Sequence, residues 1–183
     1  MGAVSDFFQN IIAGHSVEWI IGQIFGIIAI ILGFISFQVK TKSKLLIAQS
    51  ATAAVFGIHY GLLGAFSGMA ANGVNIVRNT VYEGCARRGL KVPLLPIIFV
   101  VIQCVICIFT WEAWYSVFIL LGQGISTYCM SFANPQSVRK SLLITCPLVL
   151  IYDIFAVSVG GIIYESAVII SAIIGLWRNR EKK

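Results

Sequence analysis

Charge is scarce in this sequence. Of its 183 residues only 11% are Asp, Glu, Lys or Arg, and acids are rarer still, 7 against 13 bases. A soluble domain of this length needs far more polar surface, so the composition, 58% hydrophobic with a mean hydropathy of +0.92, excludes an ordinary water-soluble enzyme. Several catalytic signatures are missing too. There is no glycine-rich phosphate loop, no nucleophile elbow, and with 2 histidines no zinc-spaced cluster. No catalytic residue, cofactor or metal ligand can be nominated. Proline is confined to Pro93, Pro96, Pro135 and Pro147, leaving the first half free of it. The pair Cys104-x-x-Cys107 has no second pair or histidine beside it, so the five cysteines read as small packing residues.

What is present is apolar sequence in long runs: 19–37, 45–63, 93–109, 115–132, 142–159 and 162–177. Each approaches the roughly 20 residues a helix needs to cross a bilayer. Between the second and third runs lies a polar stretch, ANGVNIVRNTVY at 71–82. Charge placement decides whether it crosses. Twelve of the 13 Lys/Arg fall in four clusters, at 40–44, 87–91, 139–140 and 178–183, while the connections near Gly64, Glu112 and Ser158 carry none. Seven crossings put every cluster on one face, which the positive-inside rule makes cytoplasmic. Six would strand the first cluster on the other side. The expectation is therefore an all-α integral membrane protein with seven transmembrane helices, N-terminus outside and C-terminus cytoplasmic. Residues 1–16 are expected along the outer surface, without a processed signal peptide. The charge of +6 then marks topology and affinity for anionic lipid, and no nucleic-acid partner.

A repeat is visible as well. Gln38 is followed by Lys42-Ser43 and Leu45-Leu46-Ile47, and Gln136 by Lys140-Ser141 and Leu142-Leu143-Ile144. Further on, a spacing shorter by about one helical turn pairs Tyr60 with Asp153, Gly68 with Gly161 and Asn72 with Glu165. Pro147 is a natural place for that turn to be lost. Three helices (17–88), one linker (93–110) and three more (114–178), followed by a tail at 179–183, make two parallel triplets about an axis along the membrane normal.

The Gln-x-x-x-Lys-Ser turn, with Asn134-Pro135-Gln136 in its second copy, resembles the PQ-loop motif. His59-Tyr60-Gly61 followed by Asn72-Gly73 and Tyr82 is similar to the second and third helices of SWEET-type sugar transporters. The whole chain most resembles the YgjV-like family of small bacterial inner-membrane proteins, distantly related to the PQ-loop and SWEET groups. That resemblance implies a 3+1+3 fold and a multi-pass protein of the bacterial cytoplasmic (inner) membrane. It departs from the pattern at Phe37, where the motif has proline, at Gly57, where SWEET-like chains carry tryptophan, and at Asn134, where some carry an acid.

At 100° per residue Asn72, Asn75, Arg78, Asn79 and Tyr82 share an arc of about 120°, with Val74, Val77 and Val81 opposite. The seventh helix presents Glu165, Ser171, Ala172 and Gly175 on the matching arc, so the two faces could line a shared cavity. By helical rise, His59, Asn72, Asp153 and Glu165 lie at one level, roughly 5–10 Å inside the outer boundary, above Arg78 near the midplane. Buried charge in a membrane is expensive and usually functional. Against this stand plainer readings: asparagines as interhelical glue, Arg78 bridged to Asp153 or Glu165, and His59 as a packing residue. The leading expectation is a transporter moving a small polar or cationic solute by alternating access, with proton linkage an option. Its substrate site would comprise Asn72, Asn75, Arg78, Asn79, His59, Asp153 and Glu165, with Gln38, Pro135, Gln136 and Pro147 as gate or hinge. The alternative is a ligand-binding receptor, regulatory module or lipid-interacting scaffold. Partners are a small solute and membrane lipids, with room for a homo-oligomer.

Overall fold

The computed structural model describes residues 16–37, 42–90, 92–131 and 135–180. Among these the regular structure is entirely helical: α1 (Val17–Phe37), α2 (Lys42–Leu62), α3 (Phe66–Arg87), α4 (Leu95–Phe109), α5 (Ser116–Cys129), α6 (Pro135–Phe155) and α7 (Val159–Arg180). The segment 1–15, Gln38 and the last three residues lie outside the described residues.

Two stretches, Val17–Ile35 and Ser43–Leu62, are long and apolar enough to cross a bilayer by length and composition alone, while α4, α5 and residues 159–174 are apolar but shorter. Burial adds a second sign. Ile24, Ile27, Ile31, Val101, Val105, Ile108, Ile170 and Ile173 face outward, whereas His59, Asn79, Thr127, Asp153 and Ser158 are almost wholly enclosed. Water would select the opposite arrangement, because exposed apolar patches of this extent are rare in soluble monomers. In lipid the arrangement is the natural one, since polar groups there must find partners inside the protein.

Helix ends follow local chemistry. Pro135 opens α6 at the position where its missing N–H costs nothing. The helix therefore starts before the Leu142 boundary expected from hydropathy and takes Arg139 and Lys140 into its first turns. It then runs without interruption through Pro147. At the far end of α3, Glu83 accepts from Ser43 of α2 at 2.6 Å and pairs with Arg87 one turn on.

Each helix packs on its neighbours in the chain, α7 closes on α1, and α3 touches α5 behind α4. The result is a ring in which α1·α7 and α3·α5 form the two seams between the first three helices and the last three. The α1·α7 seam is close: a Cβ added to Gly160 would stand 2.7 Å from the Gly26 Cα. The turns joining α2 to α3 and α6 to α7 have the same bonds at a separation of 93 residues. Ala65 N–H donates to the Tyr60 carbonyl and Ser158 N–H to that of Asp153, both at 2.9 Å, with Gly64→Gly61 and Val157→Ile154 alongside. This is the Schellman termination, whose pivot takes a left-handed conformation. Gly64 supplies it at φ 73°, but in the second turn the pivot is Val157 at φ 52°, a strained choice for a β-branched residue.

Candidate functional site

Both turns and the α4–α5 connection meet at the end of the ring that carries no lysine or arginine. Tyr60, in the last turn of α2, donates its hydroxyl to Asp153 Oδ1 of α6 at 2.5 Å, tying the two halves together. Asp153 is fully buried, and its Oδ2 has no hydrogen-bond partner. Next to it, His59 Nδ1 lies 2.7 Å from the Gly22 carbonyl of α1, and Nε2 lies 2.7 Å from the Ser158 hydroxyl. A carbonyl only accepts, so Nδ1 carries the proton in this contact. Ser158 in turn caps α7 by accepting from Gly161 N–H at 3.0 Å. Gln23 of α1 completes the link, donating to the Val157 carbonyl at 3.0 Å and accepting from Gly160 N–H at 3.4 Å. Space for Tyr60 and Asp153 depends on glycine. A Cβ on Gly68 would reach 2.8 Å from the Tyr60 ring, and one on Gly161 would overlap the Asp153 carboxyl.

The N-terminus of α3 is capped from elsewhere in the fold. Ala65 stands where α7 has Ser158 and offers no side-chain bond. Instead Ser67 N–H donates to Glu112 Oε1 at 2.5 Å and Gly68 N–H to the Tyr152 hydroxyl at 2.8 Å. Tyr152 also lies 3.4 Å from Glu112 Oε2. A carboxylate at a helix N-terminus is favoured by the helix dipole. Burial nevertheless pushes the Glu112 carboxyl above its ordinary range, against these bonds, which pull it down. Beside Glu112 a cavity of about 230 Å³ opens, walled by Trp19, Tyr115 and Phe155 and by the turn residues 63–65 and 156–157.

The polar stripe of α3 faces a different neighbour. Arg78, 3% exposed, donates from Nε and Nη2 to Asn79 Oδ1 at 3.1 and 2.9 Å, and from Nη1 to Thr127 of α5 at 2.8 Å. Asn75 donates to Gln123 of α5 at 3.0 Å, leaving its buried Oδ1 unpartnered. Asn72 turns back to the Gly68 carbonyl of its own helix at 2.9 Å. Glu165 of α7 sits beside the Cys146 thiol of α6. The expected single cluster is therefore divided. His59 and Asp153 share one network, and Glu165 lies near enough to Asp153 and Tyr60 for their charges to interact. Asn75, Arg78 and Asn79 form another in the α3·α5 seam; Asn72 bonds within its own helix. Arg78 bridges neither acid, since the ion pair among the described residues is Arg87–Glu83. The stripes of α3 and α7 lie on helices that do not pack closely on each other, since α3 packs on α2, α4 and α5 while α7 packs on α6 and α1. A helical wheel fixes which residues share a face, but not which helix comes to meet it. Of the gate candidates, Gln38 and the side chains of Pro135 and Gln136 lie outside the described residues.

A family model described as a bacterial inner membrane protein, Imp-YgjV, matches residues 20–183. The chain belongs to this family. Imp-YgjV membership makes it a bacterial inner membrane protein, and the seven helices among its described residues are compatible with a multi-pass chain. No curated protein and no solved structure matches it.

Several groups in this Imp-YgjV protein escape a reading of sequence alone: Tyr152, Glu112 and Ser158 at the turn end, Gln123 and Thr127 in the seam. One of them left a trace. The α3 start has alanine where its counterpart has serine, and a helix whose first N–H groups lack a local cap must find an acceptor elsewhere. Among the described residues no group of three His, Cys, Asp or Glu could hold a metal ion, and the five cysteines are free.

Proposed function

We propose that the protein is a transporter rather than an enzyme, moving a small polar or cationic solute by alternating access between two three-helix bundles, α1–α3 and α5–α7, joined by α4. The observation that carries this reading is the bond between Tyr60 and Asp153, which occupy equivalent places in two identical turns and meet each other. Equivalent residues of two repeats can touch only near the axis relating them, and the centre of such a pseudo-symmetric ring is where parallel-repeat transporters place their pathway. The exchange of one seam for the other under that axis supports the same arrangement.

The two seams differ in a way that suits rocking. The α1·α7 seam is packed glycine on glycine and acts as the fulcrum. The α3·α5 seam is held by Arg78–Thr127 and Asn75–Gln123, hydrogen bonds that water or a solute can replace at little cost. Tyr60–Asp153 and His59–Ser158 form the latch at the end free of basic residues, the outer side by the positive-inside rule.

The test is uptake into liposomes across a panel of sugars, amino acids, vitamins and cations, in a background lacking the 5 native cysteines. Uptake of at least one solute is expected. Cysteines replacing Tyr60 and Asp153 should stop it when oxidised, and reductant should restore it. A panel with no uptake refutes transport. Binding of a solute without inward access of a label at Asn79→Cys would instead mark a receptor.

A further inference from the structure

We propose that the cavity at the Lys/Arg-free end is a binding site for a small organic cation, an alkyl- or quaternary ammonium group, with Glu112 as its counter-ion and Trp19, Tyr115 and Phe155 as its walls. The inference rests on the transport reading for its purpose, as the first stop of an entering solute, but the site itself is defined by geometry.

Four observations meet there. The cavity, about 230 Å³, is of a size for a ligand of several heavy atoms. Its acid is Glu112, and no lysine, arginine or histidine lines it. Three aromatic rings border it, with Tyr115 stacked on Phe155 at 5.6 Å and 9°. Aromatic faces around a carboxylate are the surroundings that favour a poorly hydrated ammonium over an anion or a sugar. Finally, the cavity lies between the C-terminal ends of α2 and α6, residues 63–65 and 155–157, whose helix dipoles present their negative poles to it. Opposing poles lie there too: the N-terminus of α3 is covered by Glu112 and Tyr152, while α1 begins at Val17 and Tyr115 is the N-cap of α5. The dipoles alone therefore do not set the sign of the ligand, and Glu112 supplies the net charge.

The Glu112 bonds fix where the carboxylate lies. Oε1 takes the Ser67 N–H at 2.5 Å, and the contact of Oε2 with Tyr152 is long, at 3.4 Å. Held at the start of α3 in this way, Glu112 is also part of the cavity lining.

Equilibrium binding of tetramethylammonium and choline to the purified full-length protein, by calorimetry in detergent, tests the proposal. The probe's neutral carbon isostere, 3,3-dimethylbutan-1-ol, serves as control. Saturable binding is expected for both cations, with the isostere and the Glu112→Gln protein at least about tenfold weaker, equivalent to about 1.4 kcal/mol. Phe155→Leu, at a rim position that makes no hydrogen bond to α3, should weaken binding a few-fold and covers the case in which Glu112→Gln does not fold. No saturable binding, equal affinity for the isostere, or unchanged affinity in a folded Glu112→Gln protein would overturn the proposal. Uptake of a solute by a protein that binds no cation would leave transport standing and this site rejected. Cation binding without uptake would do the reverse.

Discussion

The Tyr60–Asp153 bond can be weighed directly. Tyr60→Phe removes one oxygen and leaves the ring stacked on Phe56 and edge-on to Tyr152; Asp153→Ala removes the acceptor. Interhelical hydrogen bonds in membrane proteins are worth only about 0.6 kcal/mol on average, because the unfolded chain in lipid also finds partners. This one should exceed that. At 2.5 Å it is short, its partners are 3% and 0% exposed, and Asp153 already has one orphaned oxygen. Losing the phenol would leave the carboxyl short of a second partner, a deficit of about 1–3 kcal/mol for a buried group. The double-mutant cycle should therefore return a coupling of about 1.5 kcal/mol, measured by reversible denaturation in mixed micelles. In the transport reading, each single substitution should also loosen the latch and raise labelling of a cysteine placed at Ala71, which is buried beside Tyr60 and Tyr152. A coupling below about 0.3 kcal/mol would refute the bond, and strong coupling without any change in labelling would refute the latch.

Three other outcomes can be checked on the same protein. Gly160→Ala should destabilise by about 1–3 kcal/mol, because its Cβ meets the Gly26 backbone rather than a side chain that can move. Gly73→Ala, with nothing within 4 Å, should be neutral or gain up to about 1 kcal/mol from helix propensity; thermal melts of the two variants give the contrast. Val157→Gly relieves a left-handed β-branched residue worth about 1–2 kcal/mol against about 0.5–1 kcal/mol of glycine entropy, so a small gain is expected, whereas Gly64→Val should lose about 1–2 kcal/mol. For Glu112 the raised carboxyl means the folded state holds its proton more tightly than the unfolded chain. Stability should fall as pH rises from about 4.5 through the elevated value. Glu112→Gln should flatten that slope, with Tyr152, Tyr115 and Cys107 the other titratable groups nearby; denaturation at a series of pH values measures it.

The candidate site was legible in parts. The wheel correctly put Asn75, Arg78 and Asn79 on one face of α3, and the chain spacing that pairs Tyr60 with Asp153 is also the spacing of the two turns. Depth, however, was a poor guide to contact. His59, Asn72, Asp153 and Glu165 could be placed at one level from rise per residue, and His59 and Asp153 join one network with Glu165 near Asp153. Yet Asn72 bonds within its own helix, because equal depth says nothing of azimuth around the ring. Glu112 was visible only as an acid in a connection without lysine or arginine. Its work as the cap of α3 depends on the α4–α5 connection folding over the α2–α3 turn, a contact between residues 45 apart in the chain.

By itself the sequence determined the seven helices of the described residues and the grouping of lysine and arginine at alternate connections. Both follow from local physics: hydrophobic length sets a span, and lysine and arginine resist burial in lipid. Only the tertiary structure decided which face met which neighbour. It took Arg78 to a threonine of α5 instead of an acid, set Glu112 against the start of α3, and brought Tyr60 to Asp153. The last of these depends on the close approach that Gly68 and Gly161 permit around Tyr60 and Asp153, and packing distance between helices is not written in any single helix.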